Sequence, residues 1–155
     1  MANREILFRG KRTGSGEWVY GYYIKATHHW HSHGVHEDWI ATNTVQNGGL
    51  CNVFGKYAVL PETVGQYTGL TDKNGKRIFE GDILKIARTT DSIGSYYFPP
   101  LVYPVNVIVK WDMCAWMWET LCEDKRYIGF PDAWCHYECE VIGNIHDDRE
   151  ILDVK

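Results

Sequence analysis

The chain has 155 residues, of which 45% are hydrophobic, and a formal net charge of −4. This length suffices for one compact domain or two small ones and is too short for a large multidomain enzyme. The negative charge argues against polymeric nucleic acid as a partner, because binding to phosphate backbones depends on a basic surface. Aromatic residues are in excess, with 7 Trp, 10 Tyr and 5 Phe. Trp and Tyr combine an apolar ring with one polar group, which suits half-buried sheets, pockets and interfaces.

The cysteines and the first residues indicate the cellular setting. Five cysteines are scattered along the chain, and the first residues lack the apolar run of a secretory signal peptide. We therefore expect a reduced, cytoplasmic environment. The longest apolar stretches fall far short of the roughly 20 residues that a membrane span needs, so no membrane association is expected.

Short strands are the predicted elements of the first half. Residues 11–16 contain glycines and predict the turn of a hairpin, and the polar, His-rich residues 27–37 are interpreted as a solvated loop. Strands are predicted at 6–8, 18–24 and 39–41.

The second half repeats this pattern. Asp72-Lys73-Asn74-Gly75 predicts a tight turn, because Asn and Gly tolerate positive φ. Residues 89–100 predict a loop, and Pro131 begins a short predicted helix that extends to Glu138. Strands are predicted at 83–86, 102–111, 114–121 and 140–145. Many short strands separated by Gly-containing turns predict a mostly β fold, as a barrel or a meander.

Four segments carry a resemblance to a known family: Arg4-Glu5-Ile6 with Phe8-Arg9, Pro61–Ile83, Val109–Asp112 and Glu140–Ile145. On these segments the chain resembles the YopX family of phage and prophage proteins. The resemblance implies a mostly β protein with an SH3-like small β-barrel in its C-terminal half. We therefore expect a short-strand meander or hairpin subdomain at 1–60 and an SH3-like barrel domain at 61–155. The loop at 89–104, inserted in that domain, departs from the family pattern. The resemblance supplies no catalytic or ligand-binding residues.

Histidines and cysteines are weak candidates for metal ligands. If residues 28–36 formed one extended strand, His29, His31 and His33 would share a face with spacings of about 6–7 Å, close enough to converge on zinc. Cys135 and Cys139 would lie side by side on a helix but not on a strand. No Cys-x-x-Cys pair completes either site, so buried Cys and solvated His are the favoured interpretations. We expect no bound metal and no cofactor.

The sequence motifs of common enzyme sites are incomplete in this chain. The segment Gly69–Lys76 is one residue too long for a phosphate-binding loop, and Arg77 stands where Ser or Thr would hold magnesium. No nucleophile with an adjacent base is recognisable. We therefore expect a protein that is not an enzyme and has no catalytic residues.

The remaining signal is aromatic. Phe8, Trp18, Tyr67 and Phe79 are explained by core packing of the family-like scaffold. Trp116 and Trp118 would point to one face of a strand, where either packing or ligand binding accounts for them. Basic side chains beside exposed rings could hold a nucleotide by stacking and phosphate contact. The residues predicted to bind such a ligand are Tyr67, Arg88, Tyr97, Lys110, Trp111, Trp116, Trp118 and Arg126.

Three functions follow from these patterns. The first is sequestration of a small nucleotide-type signal of host antiviral defence, in a pocket or a subunit interface. The second is a protein–protein module that inhibits a host factor through exposed aromatic residues. The third is a zinc-stabilised structural domain. Self-association into a homo-oligomer is expected, because one copy can hardly bury so much aromatic surface.

Overall fold

Antiparallel β-strands make up nearly all regular structure of the computed structural model, which confirms the mostly β prediction. The structure describes residues 5–30, 33–45, 54–88, 105–112, 115–120, 127–129 and 137–151. The chain forms two compact units, Met1–Tyr67 (unit 1) and Thr68–Lys155 (unit 2). The domain boundary after residue 60 stays a prediction, since close packing does not show that either part folds alone. No helix among the described residues is long and apolar enough to cross a membrane.

Unit 1 is built from long hairpins. Its neighbouring strands pair in the order β4-β3-β2-β1-β5, all antiparallel. A short 3₁₀ turn at Pro61–Thr63 precedes the last of them. The strands are β1 (Phe8–Lys11), β2 (Trp18–Trp30), β3 (His33–Val45), β4 (Phe54–Ala58) and β5 (Gly65–Thr71), and β5 continues into unit 2.

The sheet of unit 1 curls until its first and fourth strands meet. Arg12 bridges Val59, and the backbone N–H of Leu60 donates to the carbonyl of Lys11 at 2.8 Å. Gly10 makes this approach feasible, because a Cβ there would lie 3.1 Å from the Cβ of Val59. One face of β1 to β4 therefore encloses a small interior.

Unit 2 contains a five-stranded antiparallel sheet in the order β10-β9-β8-β7-β11, and its strand β6 pairs with the end of β5. The strands are β6 (Arg77–Phe79), β7 (Asp82–Arg88), β8 (Val105–Asp112), β9 (Ala115–Thr120), β10 (Tyr127–Gly129) and β11 (Tyr137–Asn144). This strand order does not by itself close a barrel, so the SH3-like barrel stays a prediction. The predicted loop insertion at 89–104 lies outside the described residues.

The core of unit 2 lies on one face of this sheet. Leu70 packs against its edge. Burial of this many aliphatic and aromatic side chains supplies most of the driving force for folding the unit. The core residues are Ile78, Leu84, Ile86, Val107, Val109, Trp116, Trp118, Cys139 and Val141.

A buried aspartate organises the turn that precedes β6. The Asp72 carboxylate accepts hydrogen bonds from the backbone N–H groups of Asn74 (2.8 Å), Lys76 (2.9 Å) and, in β11, Val141 (3.0 Å). Gly75 adopts a φ of 80°, which confirms the predicted tight turn. Burial alone would raise the pKa of Asp72, but these N–H donors and the charge of Lys76 outweigh it and lower the pKa. The ionised Asp72 side chain thus links the turn to β11 through hydrogen bonds.

Candidate functional site

The β8–β9 hairpin carries three of the predicted ligand-binding tryptophans. Its register places Trp111 opposite Trp116 and Val109 opposite Trp118. Trp116 and Trp118 share the core-facing side of the sheet, as predicted from their spacing. Trp118 is only 2% exposed, whereas Trp111 is 50% exposed and meets Trp116 edge-on at 4.9 Å between ring centroids. Only Trp111 therefore offers a large ring surface to solvent at this hairpin.

The polar groups of this hairpin are poorly placed for phosphate binding. The Lys110 ammonium forms an ion pair with Glu119, whose carboxylate is almost fully buried. Moving Lys110 to a ligand would break its ion pair with a buried carboxylate, which is energetically costly. Trp116 Nε1 is buried, and no described residue accepts its hydrogen bond. The Trp116 ring thus contributes packing here rather than a polar contact.

The remaining predicted ligand residues belong to unit 1 or have side chains outside the described part of the chain. Tyr67 is buried in unit 1. Arg88 ends β7, but its side chain lies outside the described part of the chain. Tyr97 and Arg126 also lie outside the described residues. The structure therefore places Trp111, Trp116 and Trp118 on one face of the hairpin and Lys110, which pairs with Met117, on the other.

The histidine prediction assumed one continuous strand, and that assumption is wrong. The chain reverses between Trp30 and His33, and the pairing of β2 with β3 places His29 opposite Gly34. Residues 27–37, interpreted above as a solvated loop, are therefore mostly paired strand at the far end of the β2–β3 hairpin. His31 lies outside the described residues. A single strand that aligns all three histidines does not form, because His29 belongs to β2 and His33 to β3.

The cysteine candidates do not assemble into a metal site in the described structure either. Cys139 lies on β11 inside the core of unit 2. Burial, followed by the negative charge of Asp72, raises the pKa of the Cys139 thiol to about 12, against a smaller effect of Lys73. Cys139 therefore packs in the core as a neutral thiol, which is the favoured interpretation given above. Cys135 lies outside the described residues, as do residues 131–136 of the predicted helix, and Tyr137 already belongs to a strand. No group of three metal-ligating side chains occurs among the residues described.

The most exposed large side chains of the described structure include three on β2. Tyr20 is 49% exposed, Tyr22 53% and Ile24 40%. They occupy every second position of the strand, so they share its outer face. We call these three residues the outward row. Together they form an apolar strip on the outer face of the curled sheet.

Neighbouring strands extend this surface. Trp39 on β3 lies opposite Ile24, and its indole N–H donates to Glu37 at 3.2 Å. At the other end of the row, Trp18 lies beneath two cations. The guanidinium of Arg9 is 4.6 Å and the ammonium of Lys11 5.5 Å from the Trp18 ring centroid. These cation–π contacts place positive charge beside the row.

The alternate residues of β2 face the interior of unit 1. The hydroxyl of Tyr23 donates a hydrogen bond to the buried carboxylate of Asp38, and its ring packs against Phe8 at 5.5 Å between centroids. Burial, together with the hydrogen bond and the charge of Asp38, raises the pKa of Tyr23 to about 12. Gly21 allows β3 to approach, because a Cβ there would lie 2.0 Å from the carbonyl oxygen of Ala41. The interior therefore fixes which residues of β2 point outward.

Sequence reasoning missed the outward row because it assigned the scaffold aromatics to the core. Tyr67 and Phe79 are indeed buried, but Phe8 and Trp18 are only half-buried. A signal was present, since Trp18, Tyr20, Tyr22 and Ile24 alternate with Val19, Gly21 and Tyr23. A glycine between large side chains indicates the side on which a neighbouring backbone approaches closely.

Comparisons with known proteins agree with the sequence segments quoted above. A family model described as YopX protein matches residues 7–153. Among solved structures, protein EF1440 from Enterococcus faecalis is similar, with 22% sequence identity and a TM-score of 0.48. That similarity covers 97% of this chain and 100% of the other. No curated protein matches the chain.

Proposed function

Because the chain belongs to the YopX family, we propose that it is a non-enzymatic binding protein of phage or prophage origin that engages a host protein in the host cytoplasm. The observation that carries this proposal is the exposure of the outward row, Tyr20, Tyr22 and Ile24. Contiguous apolar side chains on a protein surface mark interaction sites, and Tyr and Trp are enriched there. A strip on the outer face of a curled sheet suits a protein partner better than a small ligand, which needs a concave pocket.

The rigidity of the row favours tight contact. Its side chains project from the middle of a paired strand, so binding costs little backbone ordering. The edges of the row are fixed as well, by the hydrogen bond of Trp39 to Glu37 and the cations stacked on Trp18. Central tyrosines in such surfaces contribute about 2 kcal/mol or more when they act as hot spots.

The test is capture of host proteins by the immobilised full-length chain, with mass spectrometry of what is retained. The informative variant is Tyr22→Ser combined with Ile24→Ser, which removes apolar surface without opening a cavity. Ile6→Ser is the matched control, because Ile6 is 58% exposed but precedes β1. We expect the wild type and the control to retain a host protein that the double variant loses. Equal retention by all three proteins contradicts the proposal.

A second candidate function is sequestration of a nucleotide-type signal of host defence. The exposed ring of Trp111 favours it, since bases stack on such rings for about 1–3 kcal/mol each. The test is a thermal-shift screen against cyclic dinucleotides and ADP-ribose derivatives. A shift in the wild type that disappears in Trp111→Ala supports this function. A shift that Trp111→Ala retains, or no shift with any compound, counts against it.

A further inference from the structure

The β5–β6 hairpin of unit 2 concentrates positive charge at its tip. Lys73, Lys76 and Arg77 are all exposed, and the segment from Lys73 to Arg77 contains no acidic side chain. A fourth exposed cation, Lys85, lies on β7 where that strand pairs with β11. We call these four residues the basic cluster. The exposed carboxylates of unit 2 that the structure describes lie on other segments, at Asp112, Asp147 and Glu150.

Two carboxylates adjoin the basic cluster, and both are already engaged. Asp72 is buried and accepts the three backbone N–H groups described above. Glu140 forms an ion pair with Lys73, at 2.6 Å between Oε2 and Nζ. Lys76 and Lys85 form no ion pair with any residue that the structure describes. The ammonium groups of these two lysines therefore remain available to a partner.

The backbone of the hairpin tip is fixed before any partner binds. The N–H of Lys73 donates to the carbonyl of Cys139 on β11 at 3.0 Å, and the N–H of Gly75 donates to the carbonyl of Asp72 at 2.9 Å. Because the Asp72 carboxylate holds the N–H groups of Asn74 and Lys76 as well, the turn needs little further ordering on binding. These N–H groups are occupied, so a partner would meet the cationic side chains.

We infer that the basic cluster binds an acidic segment of a partner protein. Unlike charges steer such a segment to the cluster and speed its association. An acidic peptide fits better than a nucleic acid, since residues 73–77 offer no aromatic ring for base stacking and the chain's net charge of −4 repels a long polyanion. The cluster belongs to unit 2 and recognises charge, so its role is independent of the function proposed for the outward row.

The test is fluorescence anisotropy of a fluorescein-labelled deca-glutamate peptide, titrated with the purified full-length chain up to about 1 mM. We expect binding at about 50 mM salt that weakens severalfold at about 300 mM, because salt screens the attraction between exposed charges. A peptide that stays unbound by the wild type over this range overturns the inference.

Two pairs of lysine substitutions show where the peptide binds. Lys76→Gln with Lys85→Gln removes the two ammonium groups that lack ion pairs and should weaken binding about fivefold. Lys25→Gln with Lys56→Gln is the matched control, because it removes the same charge from two exposed lysines of unit 1 and should leave binding nearly unchanged. Circular dichroism melting confirms that both variants are folded. Equal weakening by both pairs would mean that net charge alone attracts the peptide, which contradicts a site at the basic cluster.

Two further measurements distinguish the kind of partner and the surface involved. A ten-nucleotide oligothymidylate should bind more weakly than deca-glutamate, and equal or tighter binding of the oligonucleotide overturns the assignment to an acidic protein segment. Tyr22→Ser with Ile24→Ser should leave deca-glutamate binding unchanged, even if that variant loses its host protein. Loss of peptide binding in this variant would place the peptide on the outward row and overturn the role of the basic cluster.

Discussion

Strands β9 and β2 both carry aromatic residues at alternate positions, but those of β9 face a core and those of β2 face solvent. Trp116 and Trp118 point into the core of unit 2, whereas Tyr20 and Tyr22 of unit 1 point to solvent. The intervening residues explain the difference. On β2 they include Gly21 and Tyr23, which fit the narrow interior of the curled sheet. An alternating aromatic pattern therefore identifies a strand, but the residues between the aromatics decide which face is buried.

The largest expected loss of stability is for Trp118, the more deeply buried of the two inward-pointing tryptophans. Trp118→Ala should lower the free energy of unfolding by about 3–5 kcal/mol, because it leaves a cavity in a core that excludes solvent. Trp111→Ala, at the exposed end of the same hairpin, should cost only about 1 kcal/mol through its edge-on contact with Trp116. Urea denaturation of the two variants measures the contrast. Similar losses would show that the two ends of the hairpin are equally buried.

Gly21→Ala tests what turns the β2 aromatics outward. The added methyl group meets the carbonyl of Ala41, and neither backbone can yield without shifting β2 against β3. We expect a loss of about 2–3 kcal/mol in thermal or urea unfolding. Gly14→Ala is the matched control, because no atom lies within 4 Å of the position of its Cβ. A Gly21→Ala protein as stable as this control would remove close approach as the cause.

Tyr23→Phe probes the inward side of β2. Without the hydroxyl, the buried Asp38 carboxylate loses a donor, and stability should fall by about 1–3 kcal/mol at neutral pH.

The stability difference between this variant and the wild type should also depend on pH in the alkaline range. The folded-state pKa of Tyr23, about 12, exceeds its ordinary value of 10.0. Its contribution is therefore complete below pH 10 and is lost as the pH rises towards 12, where the unfolded chain has already released the proton. The stability difference between wild type and Tyr23→Phe should narrow as the pH rises from about 10 to about 12. A constant difference contradicts the assignment.

The smallest effect on stability is expected for the outward row. Tyr22→Ser and Ile24→Ser should each lower the free energy of unfolding by no more than about 1 kcal/mol, since Tyr22 is 53% and Ile24 40% exposed and neither change opens a cavity. Thermal melts of the single variants test this. A loss comparable to that of Trp118→Ala would mean that the row belongs to a core. The aromatic residues of β2 and β9 would then not differ in their burial.

The sequence patterns predicted the mostly β fold and the positions of several strands. They did not predict which face of each strand is buried. The strand beginning at Trp18, the tight turn at Asp72 and the shared face of Trp116 and Trp118 follow from local patterns, and all are present. The far end of the β2–β3 hairpin escaped prediction because its polar, His-rich residues lack apolar alternation. Backbone pairing with the other strand, which no local pattern encodes, supplies the order there.

The candidate binding surface was missed for a related reason. Exposure depends on the partner strand, and Ala41 approaches Gly21 from a strand twenty residues away. Burial of Trp118 likewise depends on β7 and β11, which pack on the same core. Residue type and spacing predicted aromatic clusters, while tertiary packing determined which cluster meets solvent.

The hydrogen bond between Asp72 and Val141 has a consequence for biosynthesis. It joins positions 69 residues apart, and β11 completes the sheet that begins with β7. On the ribosome, unit 1 has all its pairing strands once β5 has emerged, whereas the Asp72 turn lacks its anchor until nearly the whole chain is synthesised. Such distant contacts slow folding. Ribosomes that stop before residue 141 would release a chain whose first unit has its full set of strands and whose second unit cannot close its core.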